Sequence, residues 1–278
     1  PGNPVIIVQN MPAAGSIVAA NYLYNQAPRD GTVFGSFSRN FPSQALVGQS
    51  RVEADPLKFN YLGATSLPSR VCVNWHTAKA KSLDDLFKHE MITAGASAGT
   101  SLSIIPTVLN HVLGTKFRII EGYKGITDSM IAIERGEVEG VCASYGQFRN
   151  WERHIKAGTV RILLRAEEVE VPGLRHVPSI YKYAKSDDQR YFLRFILSST
   201  EFGRPYVLPP GVPAERVALM RKAMAAAAKD PELVAEAAKS KIDMTFQPHD
   251  RLEALLAKLY KTPPATVAAV KKLLPNLR

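Results

Sequence analysis

Cysteine is scarce: the 278 residues contain two, Cys72 and Cys142, 70 positions apart. That spacing excludes a CxxC redox pair and a zinc ribbon, and leaves either two buried fillers or one long-range disulfide. The six histidines (His76, His89, His111, His154, His176, His249) form no HExxH and no pair at i, i+4, so no metal is expected. No Walker A sequence occurs, and no nucleotide cofactor is expected. No apolar run is long enough to span a bilayer. The net charge of +10 invites a nucleic-acid reading. Yet the excess of Lys and Arg is two over residues 1–75, three over 76–214 and five over 215–278, with no basic block interleaved with aromatics. That distribution argues against nucleic acid and leaves a weak general attraction for small anions. Trp75 and Trp151 read as packing residues, and Glu137 with Glu139 as a solvated strand start. The chain opens with Pro1-Gly2-Asn3-Pro4 and no initiating Met, so a mature or truncated form is expected and the compartment is left open.

What the sequence does contain is organised around Met91–Leu113, MITAGASAGTSLSIIPTVLNHVL. Met91–Ala94 reads as a strand, Gly95–Ser101 as a small-residue turn, and Ile105, Val108, Leu109 and Val112 as the apolar stripe of a helix. Pro106 is best tolerated in a first turn, which predicts a helix start near Ser103. Small residues let a ligand approach the backbone, and the N–H groups at a helix start favour an anion. Thr100, Ser101 and Ser103 can cap that helix or offer hydroxyls.

Strands are predicted at Val5–Gln9, Thr32–Phe37, Val71–Trp75, Phe117–Glu121, Val138–Ala143 and Val160–Leu164. Phe192–Ser199 and Arg204–Leu208 read as extended, Asp243–Phe246 as a short strand, and Ala45–Gly63 as irregular. Helices are predicted at Ile17–Tyr24, Ile126–Arg135, Phe148–Lys156, Ala214–Lys229, Glu232–Ser240 and Asp250–Leu259. Alternation of strand and helix implies an α/β fold with mostly parallel sheets, and the element count suits two small sheets. Ligands of such sheets bind at the C-terminal ends of the strands. Those ends carry Ser38-Arg39-Asn40, Gly99-Thr100-Ser101, Tyr123 and Ser144-Tyr145. Arg39 can hold a carboxylate in bidentate fashion.

Gly95-Ala96-Ser97-Ala98-Gly99 matches the G-x-S-x-G elbow of serine hydrolases, and Asp128, Asp187 or Asp243 followed by His249 would complete the order Ser, Asp, His. No HGGG-type segment precedes it, and Pro106 fits poorly behind an elbow. A hydrolase using Ser97 is the alternative reading.

Seven motifs in order, over nearly the whole chain, resemble the tripartite tricarboxylate transporter receptor family, the Bug or TctC-type solute-binding proteins. They are Val8-Gln9-Asn10-Met11-Pro12-Ala13-Ala14-Gly15, Ala27-Pro28-Arg29-Asp30-Gly31-Thr32 and Lys81-Ser82-Leu83-Asp84-Asp85-Leu86, then Gly95 through Gly99-Thr100-Ser101. Gly122-Tyr123-Lys124-Gly125, Gly136-Glu137-Val138-Glu139 and Pro209-Pro210-Gly211-Val212-Pro213 complete the set. The resemblance departs where the usual PGAGG is Pro12-Ala13-Ala14-Gly15-Ser16 and where Gly122 replaces the usual Pro.

The resemblance implies a two-lobed, venus-flytrap receptor of the second periplasmic-binding topology. Residues 1–75 plus 201–278 would form the first lobe and 76–200 the second. It implies a periplasmic, non-catalytic protein that binds a small carboxylate and passes it to membrane permease subunits. It places Ser97 as a ligand-cradling hydroxyl beside the groups named above. It also implies an N-terminal strand, ligand loop and helix that this chain lacks, so that the sequence is a fragment or the lobe is completed by swapping or dimerisation. Finally, it sets Val71–Trp75 antiparallel beside Val138–Ala143, where an oxidising compartment would bond Cys72 to Cys142.

Overall fold

A computed structural model of the chain describes all residues except 1–4, 12–15, 49–50, 67–68, 97–99, 169, 172, 241–243 and 274–278. In chain order the elements begin α1 (Ile17–Asn25), β1 (Gly35–Ser36), α2 (Phe41–Leu46), β2 (Asn60–Ala64), β3 (Arg70–Trp75) and β4 (Met91–Ala94). There follow α3 (Ser101–Leu113), β5 (Phe117–Ile120), α4 (Ile126–Glu134), β6 (Gly140–Ser144), α5 (Glu152–Lys156), β7 (Val160–Arg165) and α6 (Asp187–Phe202). The chain ends with β8 (Pro205–Leu208), α7 (Ala214–Ala227), α8 (Pro231–Lys239), β9 (Gln247–Pro248), α9 (His249–Tyr260) and α10 (Pro264–Leu273). These divide into two compact units, Pro1–Ser66 with Arg204–Ala257, and Leu67–Gly203 with Lys258–Arg278.

The first crossing between units therefore falls at 66/67 and not at 75/76, because β3 is an interior strand of the second unit's sheet. The tail after residue 257 also belongs to the second unit, where α10 packs on α6.

In the second unit five strands run in the order β5-β4-β6-β3-β7. β4 is parallel to β5 and β6, while β3 runs antiparallel to both β6 and β7. Side chains alternate across the sheet with period two. Cys72, Met91, Cys142 and Leu164 enter one buried cluster with Ile105, Leu109, Leu193 and Leu197. Val71, Val73, Val141 and Ala143 enter the other, with Ile133, Phe148 and Trp151. Both faces are covered, which is why β3 and β6 read as continuous apolar runs. Cys72 stands directly opposite Cys142 in the β3–β6 register, and the two are disulfide-bonded.

The first unit differs from the expected parallel sheet. Its order is β1-β8-β2-β9, and every neighbouring pair is antiparallel. β2 carries an irregularity between Tyr61 and Gly63, where Gly63 takes φ +146° and a Cβ would lie 2.9 Å from the Gln247 carbonyl oxygen. Leu62, Leu208, Val212 and Val217 form the core on the α7 side. Phe37 packs against Phe41 and Phe59 with ring centroids 4.8 Å and 5.4 Å apart.

Four local expectations are corrected. Val5–Val8 is not a buried strand: it lies outside any sheet, with exposures of 88, 71, 78 and 80%. No strand in the described sheets offers it a partner, so its apolar run stays in water. Residues 192–199 are helical within α6, which the Ser186 cap, accepting from the Gln189 amide at 3.2 Å, and Asp187 and Asp188 in the first turn initiate. Their apolar run is helical because Leu193 and Leu197, one turn apart, both enter the core. Residues 60–64, expected to be irregular, are the central strand β2. And α3 starts at Ser101 with Pro106 inside it, so the carbonyl that proline leaves unbonded is that of Leu102, in the first turn.

At the end of β7 two carboxylates are buried together. Glu167 has no exposed surface and Glu201 is 5% exposed. Glu167 Oε1 accepts from the Arg70 amide at 2.5 Å, and Glu201 Oε1 from the Glu168 amide at 2.8 Å. Burial pushes Glu167 up from 4.5 to about 8, the Arg70 amide opposing and the Glu201 charge assisting. Glu168 instead forms a fork with Arg194 at 2.9 and 3.2 Å, tying α6 to the chain beyond β7.

Two outcomes follow for this unit. Denatured, unreduced protein should titrate no free thiol, and reduction should lower stability by roughly 2–4 kcal/mol, as expected for opening a long loop; chemical denaturation with and without reductant measures it. The pH profile should carry the mark of Glu167. A carboxyl raised in the folded state contributes stability in full below pH 4.5, and that contribution is lost as the pH rises to about 8. Glu167→Gln, which mimics the protonated acid, should flatten thermal stability across that window and exceed the wild type at its alkaline end. Parallel profiles for the two proteins would contradict this.

Candidate functional site

The second unit places three loops at the C-terminal ends of three adjacent parallel strands, β5, β4 and β6. The pairing of β4 and β5 continues past the strands: the Gly95 amide donates to Ile120 O at 2.8 Å, Gly122 to Ala96 O at 3.2 Å, and Tyr123 to Gly95 O at 3.1 Å. The small-residue loop and the Gly122-Tyr123-Lys124-Gly125 turn therefore lie side by side. Gly95 is needed there, because a Cβ would sit 2.7 Å from Ile119 Cγ2 and 2.9 Å from the Ser103 hydroxyl.

Thr100 is the residue before α3, half-buried, and gives that helix no side-chain cap. The Thr100 side chain thus does not cap the first-turn N–H groups of α3. Thr100 Oγ1 lies 3.4 Å from Ser103 Oγ, which donates to Glu121 Oε2 at 2.9 Å. Glu121 was not anticipated. It is an exposed acid at the base of the loop that occupies the Ser103 hydroxyl, and its charge opposes an anion near Ser103. Ser97 and Gly99 lie outside the described residues, so neither the cradle nor the hydrolase elbow has a geometry here. Ser101 is the first residue of α3.

Tyr123 and Tyr145 are both half-buried and pack with Ala96 on the same apolar cluster. The Tyr123 phenol is raised by burial and by the Glu137 charge, so it remains a neutral donor at physiological pH. Ser144 ends β6, and its hydroxyl is committed to a capping box with Gln147, whose side chain accepts from the Ser144 amide at 3.1 Å. Its main task is therefore structural, while Tyr145 next to it presents the ring.

In the first unit, Ser38-Arg39-Asn40 link β1 to α2. Ser38 accepts twice, at its carbonyl from the Phe41 amide (2.9 Å) and at its hydroxyl from the Asn40 amide (3.3 Å), which holds the turn rigid. Asn40 is exposed and precedes α2 without capping it. Arg39 is the notable group. It is half-buried, its Nη1 is shielded from solvent with no hydrogen-bond partner, and burial followed by the charge of Arg204 pulls its pKa down. Among the described residues no carboxylate forms an ion pair with this half-desolvated guanidinium, and the charge of Arg204 adds to the cost of its burial. Arg204 escaped the sequence reading because its relation to Arg39 spans most of the chain and leaves no local pattern.

No family profile and no curated protein matches this sequence. Solved structures do. A TctC solute-binding protein from Polaromonas, without ligand, aligns at a TM-score of 0.72 and 16% identity, over 98% of this chain and 87% of that one. BugD, a periplasmic binding protein, aligns at 0.51 and 18% identity, over 96% and 86%. Rpa4515 of R. palustris, with adipate, aligns at 0.50 and 16% identity, over 93% and 83%. The fold is thus that of a periplasmic binding protein, with mixed sheets. More narrowly, it is the fold of the TctC and Bug proteins.

Removing an uncompensated charge should not weaken the ligand-free protein. Arg39→Gln is expected to melt at the wild-type temperature or above it, as read by differential scanning calorimetry. A clear drop would mean that Arg39 has a structural partner.

Proposed function

We propose that this chain is an extracytoplasmic solute-binding receptor of the tripartite tricarboxylate type. It captures a small carboxylate, carries out no chemistry on it, and delivers it to permease subunits in the membrane. The observation that carries the reading is Arg39, a half-buried guanidinium with an unpaired Nη1, on a fold shared with TctC and Bug proteins. In this reading the ligand-binding groups are Ser38, Arg39 and Asn40 of the first unit and Ser97, Gly99, Thr100, Ser101, Tyr123, Ser144 and Tyr145 of the second. A charge-assisted hydrogen bond is worth about 1.5–3 kcal/mol when buried, so two or three such contacts suffice for micromolar capture. That Rpa4515 was solved with adipate makes a linear dicarboxylate the natural first probe. Among the described residues no helix is long and apolar enough to cross a membrane, which suits a protein that meets its permease as a separate partner.

A second element of the proposal concerns Val5–Val8. Four consecutive aliphatic residues in water form a ready strand for another chain, and strand exchange with a second copy would complete the first unit's sheet.

A thermal-shift screen of mono- and dicarboxylates, adipate included, tests the receptor reading. At least one acid should raise the melting temperature in a saturable way. Arg39→Gln should abolish that rise, and Tyr123→Phe should reduce binding roughly tenfold, the equivalent of one hydrogen bond. Saturable binding that Arg39→Gln leaves intact would refute the assignment. For the second element, light scattering should find a dimer that Ile6→Lys with Ile7→Lys converts to monomer; a monomeric wild type refutes it.

A further inference from the structure

Within the first unit lies a cavity of about 460 Å³, remote in sequence from Ser38-Arg39-Asn40 and lined by Asn60, Val212, Ala214, Val217, Ala218, Arg221 and His249. Its lining combines features that favour one end of an amphipathic anion and features that favour the other. Ala214 is the first residue of α7, which follows Pro213 and has no side-chain cap, so the positive end of a 14-residue helix opens at the wall. His249 is the first residue of the 12-residue helix α9, whose first turn already carries Asp250, accepting from the Arg251 amide at 2.9 Å. Arg221 donates through Nε to Tyr61 O at 2.9 Å and through Nη2 to Glu253 Oε1 at 2.5 Å, which fixes the guanidinium plane and leaves Nη1 for another acceptor. His249 Nδ1 is shielded from solvent without a hydrogen-bond partner; Glu253 Oε2 stands 3.6 Å away, beyond hydrogen-bond reach. Glu253 therefore positions Arg221 and sets a carboxylate beside His249. The aliphatic lining comes from Val212 and, on the same stripe of α7 as Arg221, from Val217 and Ala218.

The geometry points to a second ligand site in this cavity, for a small organic acid with one carboxylate and a short aliphatic body. The carboxylate meets Arg221, the eighth residue of α7, and His249 at the start of α9, and the body lies along Val212 and Val217. The volume holds a molecule of six to a dozen or so heavy atoms, roughly the size class of small ligand sites. The site does not depend on the receptor reading, since none of its residues belongs to the groups assigned there.

Hexanoate is the probe, with hexan-1-ol as its neutral counterpart and sodium chloride as the bare anion. The readout is the imidazole resonances of His249, assigned by their loss in His249→Gln. Hexanoate should move them saturably, while hexan-1-ol and chloride should not. Arg221→Gln should weaken the response by about tenfold or more, the loss of one charge-assisted bond. Because that variant also loses a bond to Tyr61, Ala218→Leu serves as the second test: it fills the cavity from an exposed helix position and should abolish the response while the melting temperature is kept. Any shift produced by adipate through Arg39 is scored separately, so that failure of one site is not read as failure of the other. No saturable shift with hexanoate, an equal shift with hexan-1-ol or chloride, or an unchanged response in Ala218→Leu overturns the proposal.

Discussion

The reversal of one strand governs the second unit. β3 lies between β6 and β7 and runs against both, in a sheet whose other strands share a direction. Nothing in a parallel α/β pattern requires such a strand, and its register must be set by its own side chains. Two features set it. Val71 and Val73 face one buried layer and Cys72 the other, so a slip of one residue would invert both. The bond between Cys72 and Cys142 then fixes the one register in which the sulfurs meet. With β3 fixed, the C-terminal end of β6 is fixed against the start of β3, Ser144 opposite Arg70, and β4 follows on the far side of β6. The placement of the loops after β4 and β6 depends on where β3 starts.

Uncompensated charge is treated in two opposite ways in this protein. Glu167 resolves its burial by keeping its proton, which burial and the neighbouring Glu201 both favour. An arginine has no such option within the physiological range, since its guanidinium stays charged even when burial lowers its affinity for the proton. Arg39 therefore retains a charge that its surroundings do not neutralise, next to the charge of Arg204. A fold keeps such a group at a cost to its own stability, and function is the ordinary reason for doing so. The contrast separates the two groups in kind: Glu167 sheds its charge on burial, and Arg39 keeps its own.

Much of this was legible in the sequence, and what was legible shares a cause. The strands β3 to β7 are short apolar runs bounded by turn residues, and the two helices α1 and α4 have clear apolar spacing, so local pattern and tertiary burial agree. Cys72 and Cys142 could be paired once the neighbouring strands were identified. The failures are places where tertiary context overrides local pattern. Residues 192–199 carry the aromatic and branched side chains of a strand, and the Ser186 cap upstream of the core contacts Leu193 and Leu197 was the signal to read instead. Val5–Val8 has every local mark of a buried strand and no sheet to join. The antiparallel first sheet was invisible because its central pairing joins β2 to β8, strands separated by the whole second unit. Of the site, the loops were foreseeable from their place after strands. The counter-charge of Glu121 and the second cation Arg204 were not, since both act through space.

The distribution of donors across the site bears on what kind of ligand it selects. At the second unit's end the groups are backbone amides, a neutral phenol and hydroxyls, with Glu121 adding an acceptor at the base. Such a set bonds a carboxylate but also tolerates a hydroxyl or an amide, because none of its donors carries a full charge. At the first unit's end Arg39 does carry one and lacks a partner. Under the receptor proposal, discrimination in favour of acids would rest on Arg39, since a neutral analogue would leave a half-buried cation unpaired.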